Sequence, residues 1–113
     1  MYILKHHPNL TPDRWSTFPT EKQIFMIGNE LNRILSNLAA GQSSEVLTDA
    51  LERTLELTDL TIACQKGSLR FELLRWREAF SSFYSGDRAL DKNEIENFLK
   101  VLLSLNTKSA ILL

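Results

Sequence analysis

The chain has 113 residues and a net charge of −1, with 43% hydrophobic and 24% charged residues. This length and composition are those of one soluble globular domain, and the charge excludes the strongly basic character expected of a nucleic-acid-binding domain. The single cysteine, Cys64, excludes an internal disulfide framework and a cysteine-rich zinc site.

The hydrophobic residues are arranged neither for a membrane nor for secretion. No apolar run approaches the roughly 18 residues that a transmembrane helix needs. The sequence begins MYILKHHP, with a short apolar stretch before the first basic residue. A secretory signal has the opposite order and a longer apolar region. We therefore expect a cytoplasmic protein without a membrane partner.

Residues 1–10 form an apolar arm, and a short helical turn is predicted directly after it. The turn covers about residues 11–16. Thr11 is its expected N-cap and Pro12 occupies the first turn, where a proline is tolerated because its missing N–H group would be unpaired in any case.

The first long helix is predicted over about residues 20–40, where Thr20 and Gln23 have the spacing of a capping box. Apolar residues recur along it every three or four positions and form one stripe. They are Ile24, Ile27, Leu31, Ile34, Leu35 and Leu38. Gly28 lies in the same stripe. Because glycine inside a helix costs about 1 kcal/mol relative to alanine, we interpret it as the point of a close helix crossing, with a hinge as the alternative.

The second long helix, over about residues 43–66, is apolar around more than half of its circumference. A helix with so wide an apolar face contacts two or more neighbours, so it is either the central helix of the domain or part of a subunit interface. The remaining side is predicted to face solvent and carries Glu45, Asp49, Glu52 and Glu56.

Arg53 falls inside the apolar part of this second helix. A charge at such a position needs a carboxylate partner, or its side chain must extend to the surface. Glu30 of the first helix and Glu72 of the third are the candidate partners for a buried ion pair.

The third helix, over about residues 68–85, carries an apolar seam with alternating steps of four and three residues. The seam consists of Leu69, Leu73, Trp76, Phe80 and Phe83. Phe71 and Leu74 lie on the back of the helix, roughly 150° from this seam, and are flanked by Arg70 and Arg77. Neighbouring large apolar groups on an outward face indicate an interaction patch. The alternative is that the arm or the C-terminal tail covers them within one chain.

The fourth helix is predicted over about residues 91–106, with Asp91 as its N-cap and Asn106 at its end. An apolar tail over residues 107–113 follows it. The two apolar ends of the chain, residues 2–4 and 111–113, are expected either to close the ends of the domain or to cross to a second subunit.

The combined pattern predicts an all-α fold. Leucine supplies 20 residues, whereas glycine and proline together supply only 7, and no strand pattern competes with the helical periodicity. We expect an antiparallel four-helix bundle with short loops, preceded by the short helical turn.

The histidines give little support for catalysis. His6 and His7 are adjacent in the arm, where they point in opposite directions, and we expect them to be solvated rather than bound to a metal. The helices contain no histidine and so lack the usual general base. We therefore expect no catalytic, cofactor-binding or metal-binding residues, and we interpret Cys64 as a small buried hydrophobic residue.

The leading hypothesis is a non-catalytic protein that acts through protein–protein contact, either with another protein or as a homodimer. The wide face of the second helix and the back of the third would form the homodimer interface. The alternative is a nucleic-acid-binding accessory protein that uses Arg70, Arg75 and Arg77. Glu72 and Glu78 dilute the positive charge of these arginines, which makes nucleic acid the weaker hypothesis.

Overall fold

The computed structural model describes the backbone of residues 5–112 and the side chains of residues 5–105. Every regular element of the described backbone is an α-helix, which confirms the all-α prediction. The helices are α1 (Pro12–Trp15), α2 (Thr20–Ala39), α3 (Ser44–Cys64), α4 (Gly67–Ser85) and α5 (Lys92–Leu112). Among the described helices, none combines the length and the apolar character needed to cross a membrane.

The four long helices form the expected bundle. Helices α2 and α4 each pack against both α3 and α5, which closes a ring, and α1 packs against α3. Short segments over residues 40–43, 65–66 and 86–91 connect the long helices, so helices that are consecutive in the chain run antiparallel. Side-chain caps explain two of the starts, because Ser43 accepts from Val46 N and Asp91 accepts from Glu94 N.

The predicted seam of α4 forms an aromatic part of the core. The rings of Trp76 and Phe80 stack with their centroids 5.0 Å apart. Phe98 of α5 meets Trp76, Phe80 and Phe83 edge to face. The indole Nε1 of Trp76 donates to the backbone oxygen of Phe98 at 3.0 Å, so burial leaves this polar group paired.

Helix α3 is the central helix of the domain. Every side chain from Thr54 to Thr58 is buried, which means that α3 is covered on all sides over this stretch. The hydroxyls of Thr54, Thr58 and Thr61 donate to backbone oxygens four residues earlier, which satisfies them inside the core. The wide apolar face is therefore used within the chain, and over this stretch it is not exposed for a subunit interface.

The predicted capping box at the start of α2 is wrong. Pro19 occupies the N-cap position, and Thr20 is already helical. The side-chain nitrogen of Gln23 instead donates to the backbone oxygens of Trp15 and Phe18, at 3.1 and 2.9 Å. Trp15 O also accepts from Phe18 N in the turn after α1, so Gln23 adds a second donor to it and supplies one to Phe18 O.

Helix α5 continues past Asn106, where the sequence predicts its end, and reaches Leu112. An asparagine inside a helix costs at most about 0.7 kcal/mol, and no glycine or proline follows it to break the helix. The expected roles of residues 2–4 and 111–113 in closing the bundle or crossing to a second subunit lie outside the side chains that the structure describes.

Gly28 marks the close crossing of α2 and α5. It is buried, and a Cβ atom placed on it would lie 3.4 Å from Leu99 Cδ1 and 3.8 Å from Leu103 Cδ2. A single methyl group therefore fits at this crossing, whereas a larger side chain would displace the two leucines.

We expect opposite effects from two substitutions at this crossing. Gly28→Ala should raise the free energy of unfolding by about 0.5–1 kcal/mol, because alanine stabilises a helix interior relative to glycine. Gly28→Leu should lower it by about 1–3 kcal/mol through overpacking. Urea unfolding followed by the fluorescence of Trp15 and Trp76 measures both changes. A Gly28→Leu variant as stable as the native chain would contradict the close crossing.

Candidate functional site

The outward side of α4 carries the two residues predicted as an interaction patch. Phe71 is 68% exposed and Leu74 is 40% exposed. Arg70 and Glu78 are exposed on the same side of the helix. We call these four residues the α4 outer face. Single exposed apolar side chains are common on soluble proteins, but adjacent large ones on one face are typical of contact surfaces.

Arg77, the fourth residue of the predicted patch, is directed to α3 instead. Its Nε donates to Asp59 Oδ1 at 2.9 Å and its Nη2 to Asp59 Oδ2 at 3.3 Å. Two parallel bonds of this kind fix a guanidinium on a carboxylate. The structure therefore brings Phe71, Leu74 and Arg70 together and uses Arg77 to join α4 to α3.

The described part of the arm does not cover the α4 outer face. Lys5 and His6 lie along α3, where they contact Glu52 and Glu56. The tail predicted as the other possible cover lies outside the described side chains. Within residues 5–105, Phe71 and Leu74 keep the exposure given above.

A groove of about 310 Å³ opens between α4 and α5. Its apolar lining consists of Trp76, Ala79, Phe98, Val101 and Leu105, and its polar lining of Glu72, Arg75 and Asn97. Glu72 was one of the two partners predicted for Arg53. It is exposed at this groove instead and does not pair with Arg53.

Glu30, the other predicted partner, lies beside Arg53. Arg53 Nε lies 3.4 Å from Glu30 Oε2, and Arg33 Nε lies 3.6 Å from the same oxygen. The Arg53 N–H is not aligned for a hydrogen bond, so the contact is an ion pair without one. The pair joins α2 to α3, and the second arginine helps to compensate the buried carboxylate of Glu30.

The arm makes a polar contact with α3 that was not predicted from the sequence. We call this contact the arm site, and it consists of His6, His7, Glu52 and Glu56. The backbone N–H of His6 donates to Glu56 Oε1 and Oε2 at 3.1 and 3.0 Å. His6 Nε2 lies 2.8 Å from Glu52 Oε1, and His7 Nδ1 lies 3.4 Å from Glu56 Oε2. The arm is thus held to α3 by both its backbone and its side chains.

The prediction that both histidines are solvated is wrong. Their side chains are each only 13% exposed, and the arm also covers Glu52 and Glu56 on the predicted solvent side of α3. A signal was present in the sequence, because Lys5-His6-His7 is basic whereas residues 45, 49, 52 and 56 of α3 form an acidic row. Helical periodicity carries no information about such a pairing.

Among the described residues, the side chains of His6, Lys5 and Tyr84 contact Glu52. Tyr84 O–H donates to its Oε2 at 2.7 Å, and Lys5 Nζ lies 3.0 Å from its Oε1, beside His6. The hydrogen bonds from His6, Tyr84 and Lys5 lower the pKa of Glu52 to about 2. Glu52 therefore stays ionised, and a pocket of about 280 Å³ beside it is lined by Lys5, His6, Glu52, Leu55, Glu56, Asp59, Arg77 and Tyr84.

Burial disfavours the charged forms of two other groups, His7 and Cys64. Desolvation lowers the pKa of His7, although the nearby Glu56 carboxylate opposes the shift. Burial also raises the pKa of the Cys64 thiol, which is half-buried and contacts the backbone oxygen of Pro12. Cys64 therefore lacks the lowered pKa that activates a cysteine nucleophile.

Comparisons with protein-family models, with curated proteins and with solved structures find no match for this chain. The contacts of its own residues are therefore the basis for a proposal of function.

Acidification should destabilise the protein in two separate steps. Burial holds the pKa of His7 below 6.5, so the stability that neutral His7 provides is present above pH 6.5 and is lost as the pH falls through its lowered pKa. The stability that ionised Glu52 provides is present above pH 4.5 and is lost as the pH falls towards its folded pKa of about 2.

Two variants separate these steps. His7→Gln should reduce the loss of stability as the pH falls below 6.5, and Glu52→Gln should reduce the further loss below pH 4.5. Urea unfolding of the native chain and of each variant at these pH values measures the difference. If His7→Gln loses as much stability in the upper range as the native chain, His7 is not responsible for the first step.

Proposed function

We propose that the chain is a non-catalytic, cytoplasmic helical-bundle protein that acts through protein–protein contact and forms a homodimer through the α4 outer face. The exposure of Phe71 and Leu74 on one side of a well-packed helix is the observation that carries this proposal. Burial of such side chains in a partner is favourable by about 25 cal/mol per Å² of apolar surface.

The charges of the α4 outer face favour a second copy of the same chain as the partner. Arg70 lies four residues before Leu74, and Glu78 lies four residues after it. In a two-fold pair of antiparallel α4 helices that cross at Leu74, Arg70 of each protomer faces Glu78 of the partner subunit. An interface of this kind uses the same surface twice, so it requires such self-complementarity.

The spacing of residues along the outward side of α4 supports the same arrangement. Gly67, Phe71, Leu74, Glu78, Ser81 and Ser85 follow one another in steps of four and three residues, the spacing found in paired helices. The small residues at both ends permit close approach of two helix backbones. The apolar centre is limited to Phe71 and Leu74 of each protomer, so we expect a weak dimer rather than an obligate one.

Nucleic-acid binding is less well supported. Of the three arginines that this hypothesis needs, Arg77 is paired with Asp59. Arg70 and Arg75 are exposed, but acidic residues lie near them on α4. An absorbance ratio at 260 and 280 nm that indicates bound nucleic acid in the purified protein would favour this alternative.

Light scattering after size exclusion, over a range of protein concentrations, tests the dimer. We expect the native mass to rise towards that of a dimer with concentration, and Phe71→Asp to weaken the association at least about tenfold. Phe25→Asp is a matched control, because Phe25 is 59% exposed on α2, away from the α4 outer face. A monomer at every concentration, or dispersal by Phe25→Asp and not by Phe71→Asp, would overturn the proposal.

Charge reversal tests the antiparallel arrangement itself. Arg70→Glu alone and Glu78→Arg alone should each weaken the dimer, because each places two like-charged pairs in the interface. The double variant should restore the association, and Arg75→Glu serves as the control on a neighbouring arginine. A double variant weaker than either single variant would show that these two residues do not face each other.

A further inference from the structure

Three side chains at the edge of the arm site bring metal-binding atoms together. His6 comes from the arm, and Asp49 and Glu52 lie one turn apart on α3. One ligand atom from each residue lies within 4.8 Å of the other two. We propose that these residues form a binding site for a divalent transition-metal ion, with Zn²⁺ as the reference ion, which joins the arm to α3.

The fold holds His6 in place before any ion binds. Its backbone N–H is fixed by both oxygens of Glu56, and its ring is largely buried with Nε2 directed at Glu52. This differs from a histidine on a free arm, which would lose conformational freedom when it binds a metal. A ligand that is already ordered avoids that entropic cost.

Glu52 is oriented in a similar way. Tyr84 donates to its Oε2, while its Oε1 is the oxygen directed towards His6. A hydrogen bond to the oxygen that does not bind the metal is the usual means of fixing a carboxylate ligand. Since Glu52 is ionised and Asp49 supplies a second carboxylate, the three residues offer one imidazole nitrogen and two anionic oxygens.

Lys5 shows that this position attracts a cation. Its ammonium group lies 3.0 Å from Glu52 Oε1, but its side chain is 70% exposed. An exposed single ion pair contributes little to stability, so a divalent ion can displace Lys5 at small cost. The opening beside Asp49 and Glu52, about 310 Å³, is also lined by Ser44, Glu45 and Thr48, which leaves room for water ligands.

The donor set determines the class of ion. An imidazole nitrogen with carboxylate oxygens suits Zn²⁺ and related transition-metal ions, and three protein ligands leave at least one position for water. His7 does not belong to the set, because its ring lies against Glu56. His6 therefore takes its ligand partners from α3 rather than from His7.

Isothermal titration of untagged protein with ZnCl₂ tests the site, with Co²⁺ absorption as a second readout of the ligand geometry. We expect one Zn²⁺ per chain, and at least about tenfold weaker binding by Asp49→Asn. Glu45→Gln is the matched control, because it removes a carboxylate from the same side of α3 outside the ligand set. Its affinity should stay within about twofold of the native value. Zn²⁺ should also raise the unfolding temperature of the native chain more than that of Asp49→Asn.

Two results would overturn the proposal. The first is the absence of Zn²⁺ binding by a native chain whose circular dichroism shows it to be folded. The second is native affinity in Asp49→Asn combined with loss of binding in the His6→Gln, His7→Gln double variant, which would mean that a detached arm chelates the ion. Titration of Phe71→Asp alongside the native chain keeps the result independent of self-association.

Discussion

The burial of α3 on all sides is the constraint on which the other contacts depend. Its wide apolar face requires neighbours on more than one side, and α1, α2 and α4 supply them. In a four-helix bundle the remaining side of such a helix usually faces water. Here the arm covers part of it, so the carboxylate of Glu56 is buried and that of Glu52 is partly covered.

Covered carboxylates need compensation, and the protein provides it locally. A buried carboxylate without partners costs several kcal/mol, which would oppose the packing that buries it. Glu56 receives the backbone N–H of His6, and Glu30 lies against Arg53 and Arg33. The same requirement explains Gln23, whose amide pairs with backbone oxygens that α1 buries. The polar contacts thus follow from the helix packing.

Helix positions were predictable because their signals are local. Steps of three and four residues, together with the caps at Thr11, Ser43 and Asp91, depend on residues within one or two turns. The ion pair of Arg53 and Glu30 was also within reach, because a charge in an apolar face requires a partner. The choice between Glu30 and Glu72 needed the order of helices around the ring, which periodicity does not contain.

The arm site was not predictable for a different reason. Its contacts join residues 46 to 50 positions apart, and the main one uses the backbone of His6, which every residue type possesses. The charges of Lys5-His6-His7 and of the acidic row of α3 are complementary, but they do not determine which residues would meet. Similarly, the direction of Arg77 was decided by Asp59 across the helix interface, although its sequence position alone placed it beside Arg70.

The two proposals involve separate parts of α4, the outer face at Phe71 and the hydroxyl of Tyr84 that supports Glu52. Its inner seam is used by the core, Arg77 by α3, and Tyr84 by the arm site, so the α4 outer face is the part without a partner in the described chain. Phe71 and Tyr84 are 13 residues apart, which corresponds to about 20 Å along a helix. A change at one place therefore leaves the contacts of the other intact.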